Sequence, residues 1–241
     1  MIKSGKKGLA ILLDPDKLNA KILAERIKSI NESYVDYIFV GGSLISSDNM
    51  DMVLSELSDK TFIPKILFPG NSLHINSKAD GILFLSLISG RNPEFLIGQQ
   101  VVAAAALKRS GLSILPTGYI LVDGGKPTTV SYISNTTPIP ADKPDVAAVT
   151  ALAGEMLGLK YIYLDAGSGA LNPVREEMIS MVKKTITLPL IVGGGIRTAE
   201  AASKAFRAGA DIVVIGNAIE ENPNFLNEVS QIAEKHNLSL V

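Results

Sequence analysis

Short apolar runs and longer amphipathic segments alternate along this chain, and that alternation leaves few architectures open. The runs lie at Leu9–Leu13, Tyr37–Val40, Pro64–Phe68, Gly81–Leu87, Ser113–Val122, Tyr161–Leu164, Leu190–Val192 and Ile212–Ile215. They are aliphatic and β-branched rather than alternating, as parallel strands buried on both faces are. Eight of them, separated by helical segments, predict an α/β fold of the (β/α)8 TIM-barrel type in preference to an open doubly wound sheet. With 241 residues, 46% of them hydrophobic, residues 1–241 read as a single domain with room for a large core.

The helices between the runs carry their own signals. Leu18, Ile22, Leu23, Ile27 and Ile30 form one apolar stripe, with Asp16 as its expected cap. Val174, Met178, Ile179, Val182 and Ile186 form another, opened by Asn172 with Pro173 at the first helical position. Thr198 is expected to cap the next helix, and Asn222-Pro223 to open the last. Val101–Leu107 reads as a helix packed on the sheet. One unit breaks the rule: residues 70–80, GNSLHINSKAD, are polar and lack helical spacing. The third helix is therefore expected to be missing or replaced by a loop. A second anomaly is the Thr-, Ser- and Pro-rich stretch Lys126–Pro140. Following the fifth strand, it reads as a long loop over the catalytic mouth.

Several function classes drop out on composition. There is no cysteine, which removes disulfides, thiolate metal sites and cysteine nucleophiles and fits a reducing cytoplasm. A net charge of −1 carries no basic footprint for nucleic acid. Leu9–Leu13 is too short for the apolar core of a secretory leader. No stretch reaches bilayer-spanning length, although the positive mean hydropathy leaves a membrane-derived substrate open. Only two histidines occur; His236 reads as a surface residue, and His74 lies in the odd loop. No Ser-His-Asp set or histidine metal cluster is evident.

In a barrel the chemistry sits at the carboxyl ends of the strands. Here they read Asp14-Pro-Asp16-Lys17, Gly41-Gly-Ser43, Asp123-Gly-Gly, Tyr163-Leu-Asp-Ala-Gly-Ser-Gly169, Gly193-Gly-Gly195 and Gly216-Asn217. The last three are glycine-rich and belong to neighbouring strands. Bare backbone followed by helix N-termini makes an anion site, so a phosphate is expected there; the bland reading is a tight turn with close packing. Asp14 stands on the opposite side of the mouth. It could hold Mg²⁺, act as a base, or cap the next helix. Ser43 could add a hydroxyl, and Mg²⁺ commonly takes one or two carboxylates with substrate phosphates completing its shell.

The ordered set Leu13-Asp-Pro-Asp-Lys17, Val40-Gly-Gly-Ser43, Tyr163–Gly169, Val192-Gly-Gly-Gly-Ile196 and Gly216-Asn217 resembles the geranylgeranylglyceryl phosphate synthases. So does Ser134-Asn-Thr-Thr-Pro-Ile-Pro140 with Lys143-Pro144, and the likeness runs from the first strand to the last. It implies Mg²⁺-dependent transfer of a long prenyl chain from its diphosphate to the 3-hydroxyl of sn-glycerol 1-phosphate. Asp14 and Ser43 would hold the metal. Tyr163, Leu164, Asp165, Ala166, Gly167, Ser168, Gly169, Gly194, Gly195, Gly216 and Asn217 would bind glycerol phosphate, with Asp14, Tyr163 and Asp165 catalytic. Asp165 would orient or deprotonate the hydroxyl and Tyr163 would face the reacting carbon. Asp165 departs from the family pattern, where many members carry Glu, one methylene longer. Tyr119, Ile120 and the segment around Tyr132 are candidate walls of an apolar groove for the chain. The resemblance also implies a homo-oligomer, dimer or hexamer, in the cytoplasm, with transient membrane contact for a lipid product. Two rivals remain: a barrel isomerase using Asp14 and Asp123 as an acid–base pair, and a non-catalytic phosphometabolite sensor. No glycine cluster follows the third strand, which weighs against an isomerase with two phosphate sites.

Overall fold

The computed structural model describes residues 6–46, 49–221 and 225–238. Eight parallel strands close into a barrel in sequence order: β1 (Gly8–Leu13), β2 (Tyr37–Gly41), β3 (Lys65–Phe68), β4 (Gly81–Leu87), β5 (Ser113–Leu121), β6 (Tyr161–Asp165), β7 (Leu190–Gly193) and β8 (Ile212–Ile215). Closure is made by β8 on β1, with Gly8 opposite Ile212 and Ile11 opposite Ile215. Each strand alternates between two apolar layers. Leu9, Ile11, Ile38, Val40 and Ile162 face the helices. Ala10, Phe39, Ile66, Phe68, Tyr119, Tyr163 and Ile191 fill the barrel interior. Both layers are buried, which is why the strands read as continuous apolar runs.

The outer ring holds α1 (Ala20–Asn31), α2 (Met50–Lys60), α3 (Gln99–Ser110), a short α4 (Thr129–Ser134), α5 (Pro144–Met156), α6 (Glu176–Thr185), α7 (Ala199–Ala208), α8 (Ala218–Glu221) and α9 (Phe225–Leu238). Residues 69–80, between β3 and β4, form turns and no helix, as their polar spacing predicts. Thr198 caps α7 by accepting from Ala201 N at 3.1 Å.

Three local expectations are corrected. The cap of α1 is Asn19, which accepts from Ile22 N. Asp16 sits in a 3-10 turn, Pro15–Lys17, where Ser46 engages its carboxylate through both N (2.7 Å) and Oγ (2.8 Å). Helix α6 starts at Glu176, not at Pro173. The amides of Leu171 and Asn172 donate to Gly124 O, which holds the preceding residues out of the helix. The stretch Lys126–Pro140 is not all loop, because α4 forms within it, closed at its start by a capping box between Thr128 and Ser131. Asn222 and Pro223 lie outside the described residues.

Candidate active site

At the carboxyl ends of the strands a polar pocket opens. Asp14, Gly42, Ser43, Tyr163, Asp165, Gly167, Ser168, Gly169, Gly194, Gly195, Gly216 and Asn217 all line it. The rims of β1, β2, β6, β7 and β8 thus converge, as expected of neighbouring strand ends. The N–H groups of Gly169, Gly195 and Asn217 find no protein acceptor among the described residues, so they stand available to an anion. Leu164 and Ala166 do not line the pocket. Leu164 faces the outer core, and Ala166 is buried with its amide bonded to Gly193 O; their part is to carry the β6 rim.

The three glycines after β7 each answer a different steric demand. A Cβ on Gly193 would lie 2.5 Å from the Tyr163 hydroxyl. Gly194 has φ +77°, and a Cβ there would reach within 2.5 Å of Asp165 Oδ1 and 2.7 Å of Gly167 N. On Gly195 it would meet Asn172 O at 2.7 Å. The turn is therefore bare partly because the β6 rim packs directly on it, and the same bareness exposes backbone to the pocket.

Asp165 is the buried charge of the site. Its Oδ1 accepts from Gly167 N at 2.7 Å and its Oδ2 from the Tyr119 hydroxyl at 2.5 Å. Burial raises its pKa, and the Tyr119 and Gly167 hydrogen bonds act against that rise. Tyr119 and Tyr163 are both held well above the ordinary phenol range, chiefly by burial. With Phe68 they form a triangle of edge-on rings, centroids 5.5–6.2 Å apart, which floors the mouth.

A second, apolar groove leaves the mouth sideways. Phe68, Ile75, Ile82, Phe84, Phe95, Ala103, Leu107, Tyr119, Val130 and Ile133 line it. It runs past β4 and α3 on the flank that the missing third helix leaves uncovered. Ser43 and Phe68 border both cavities. Of the candidate wall residues Tyr119 belongs to it. Ile120 does not, since it points into the outer core. Tyr132 is 85% exposed, and α4 presents Val130 and Ile133 to the groove instead.

The donor set for a metal is one carboxylate, Asp14, and one hydroxyl, Ser43, on the same pocket. The Asp14 carboxylate lies beside Gly42, in ordinary van der Waals range of where a Cβ would be. No group of three or more acidic or histidine side chains gathers among the described residues. Hard oxygens in this number suit Mg²⁺ when substrate oxygens complete the shell, and do not suit a metal held by protein alone.

The Asp14–Asp123 pairing is not formed. Asp123 is exposed, closes a turn onto Gly125 N at 2.8 Å and lines a different cavity. His74 is a bracket of its loop, accepting from Gly70 N at 3.1 Å. His236 is not a plain surface residue but packs on Phe206 at 5.6 Å. Phe68 and Arg197 carry no motif signal of their own, and Lys17 ends the first motif without a role assigned to it. Lys17 donates to Asn217 Oδ1 at 2.9 Å, and Arg197 lines the polar pocket. Lys17 lies within the first motif and Arg197 directly follows the triple-glycine motif, which is the available signal.

Fold and site together define a barrel enzyme with a glycine-walled polar mouth and an adjoining apolar groove. The chain belongs to the PcrB family, whose profile matches residues 4–235, and is a prenyl-transferring enzyme of the geranylgeranylglyceryl phosphate synthase type. It is 53% identical over 238 residues to the geranylgeranylglyceryl phosphate synthase of Spirosoma linguale, covering 99% of this chain and 96% of that one. The synthase of Thermococcus kodakarensis is 45% identical over 212 residues, 88% of this chain and 83% of its own. Among solved structures, (S)-3-O-geranylgeranylglyceryl phosphate synthase from Thermoplasma acidophilum, in complex with its substrate sn-glycerol-1-phosphate, superposes with a TM-score of 0.90 at 35% identity. That match covers 96% of this chain and 94% of that one.

Proposed function

We propose that the chain transfers a long prenyl group, geranylgeranyl in the first instance, from its diphosphate to the 3-hydroxyl of sn-glycerol 1-phosphate, forming an ether with Mg²⁺ as cofactor. The observation that carries this reading is the meeting of two chemically opposite cavities at Ser43 and Phe68. One has amides without protein acceptors among the described residues and Arg197 for a phosphate; the other has an apolar wall suited to a lipid chain. The Thermoplasma relative takes sn-glycerol-1-phosphate, which supports the same acceptor here.

On this reading the acceptor phosphate rests on the amides of Gly169, Gly195 and Asn217, with Arg197 nearby and Lys17 braced on Asn217. The acceptor hydroxyl faces Asp165. Its oxygen forms the new bond to the first prenyl carbon as the carbon–oxygen bond to the diphosphate breaks, and the diphosphate leaves with the electron pair. The hydroxyl proton passes to Asp165, whose upward-shifted pKa makes it a stronger base than an exposed aspartate. The rings of Tyr163 and Phe68 offer their π-systems to the positive charge developing on that carbon. Asp14 and Ser43 would hold Mg²⁺, which when bound neutralises charge on the departing diphosphate.

The enzyme works in the cytoplasm as a homo-oligomer, meeting a membrane surface only to exchange lipid. No helix among the described residues is long and apolar enough to cross a membrane. The outward side of α5 is apolar at Val146, Val149 and Met156, with Leu157 exposed at its C-cap, a stripe that suits another protein surface better than water.

Incubation with Mg²⁺, either glycerol phosphate enantiomer and a ladder of prenyl diphosphates tests the reading. An acid-stable prenyl ether from the 1-phosphate is expected. Free diphosphate without ether, or ether from the 3-phosphate alone, contradicts it. Asp14→Asn retains the oxygen that caps Asp16 N. It is expected to lose most turnover while still binding glycerol phosphate in calorimetry; equal loss of both overturns the metal assignment.

A further inference from the structure

The two cavities share a wall, and one hydrogen bond passes through it. Tyr119 lines the apolar groove and Asp165 lines the polar pocket. Their side chains meet at 2.5 Å although 46 residues separate them in sequence. Strand register explains the contact. Tyr119 pairs with Tyr163 and Leu121 with Asp165, so the Tyr119 ring, inside the barrel, reaches diagonally to the carboxylate two residues further along β6. Both side chains are almost fully buried, at 4% and 7% exposure.

A tyrosine hydroxyl has one proton to give. Next to an acceptor-only carboxylate it is committed as a donor, and burial keeps the phenol protonated throughout any working pH. Asp165 is thus clamped at both oxygens, by Gly167 N on Oδ1 and Tyr119 on Oδ2. With only one methylene between backbone and carboxylate, it has little freedom to choose another direction.

We propose that Tyr119 is a positioning residue for prenyl transfer: by donating to Asp165 Oδ2 it fixes the direction of the carboxylate lone pair that takes the acceptor proton. This rests on the transfer reading above. Tyr119 keeps its own proton throughout; the proton taken from the acceptor ends on Asp165. Among the described residues, the titratable groups facing Asp165 are Tyr119 from β5 and Tyr163 from β6. The β7 rim faces it with the backbone of Gly194, while Asp14 and Arg197 line the same pocket.

Tyr119→Phe removes the donor and keeps the ring. The expected result is a kcat lowered on the order of 10- to 100-fold, as for a misaimed reacting group, with the glycerol phosphate KM within about threefold of wild type. The acid limb of the kcat–pH profile should move to higher pH, because a bond favouring the carboxylate is lost. Should the variant fold poorly, 3-fluorotyrosine at position 119, a stronger donor, should move that limb to lower pH. Opposite shifts from the two replacements support the proposal. An unmoved acid limb in whichever protein folds, with or without loss of kcat, overturns it and leaves the transfer reading standing. A wild-type protein that makes no prenyl ether overturns both.

Discussion

At the scale of single residues, the site is built from side chains and missing side chains that fit one another. Gly193 and Gly194 are bare because Tyr163 and Asp165 occupy the space a Cβ would take, and that crowding buries the candidate base. The burial has a cost that can be measured. It raises the Asp165 pKa, so the stability this group contributes is present below its unfolded-state value and is lost as pH rises through the folded one. Above that folded value the ionised carboxylate weakens the fold. Asp165→Asn keeps an acceptor for Gly167 N and removes the charge. Its Tm at pH 7 should match or exceed wild type, and the gap should close toward pH 4, while prenyl transfer falls by about 10²- to 10⁴-fold. A variant markedly less stable than wild type at pH 7 would contradict the strain assigned to Asp165. Sequence motifs named Asp14, Ser43, Tyr163 and Asp165 without any structure. They could not name Phe68, an aromatic among many apolar strand residues with no motif around it.

At the scale of elements, helix starts separate what local chemistry decides from what neighbours decide. Thr198 caps α7 as its position before an amphipathic segment predicts. Thr198→Ala should therefore cost about 1 kcal/mol, read as a lower urea midpoint at unchanged m-value. Asp16, of an equally good capping type, is drawn off by Ser46, and Asn19 takes its place. Pro173 is a good first helical residue, yet Asn172 is pinned to Gly124 O and lies under Gly195, so α6 begins later. The absent third helix is an element-scale feature with a functional result. The turns of residues 69–80 are held by His74 on Gly70, Asn76 on Asp51 and Lys78 on Asp51. They leave the flank of β4 open for the apolar groove.

At the scale of the whole molecule, the barrel turns an apolar face of α5 outward, which water does not suit. On α5, Val149 is 62% exposed and Met156 77%, and Leu157 at its C-cap is 79% exposed. Light scattering on the eluting protein should read at least twice the 25.5 kDa chain mass, and Val149→Glu with Met156→Glu should lower it. A wild-type monomer would remove the oligomer from the reading. The residues alone settled the eight strands and their order along the chain, and they singled out the strand ends that line the polar pocket. Periodicity and glycine placement are local properties, and parallel strands buried on both faces can be read one at a time. Barrel closure and strand register decided the rest: that Tyr119 reaches Asp165, that Phe68 stands between two cavities, and that Asp123 turns away from Asp14. Those contacts join residues far apart in the chain, where only the packing of the closed sheet determines which side chains meet.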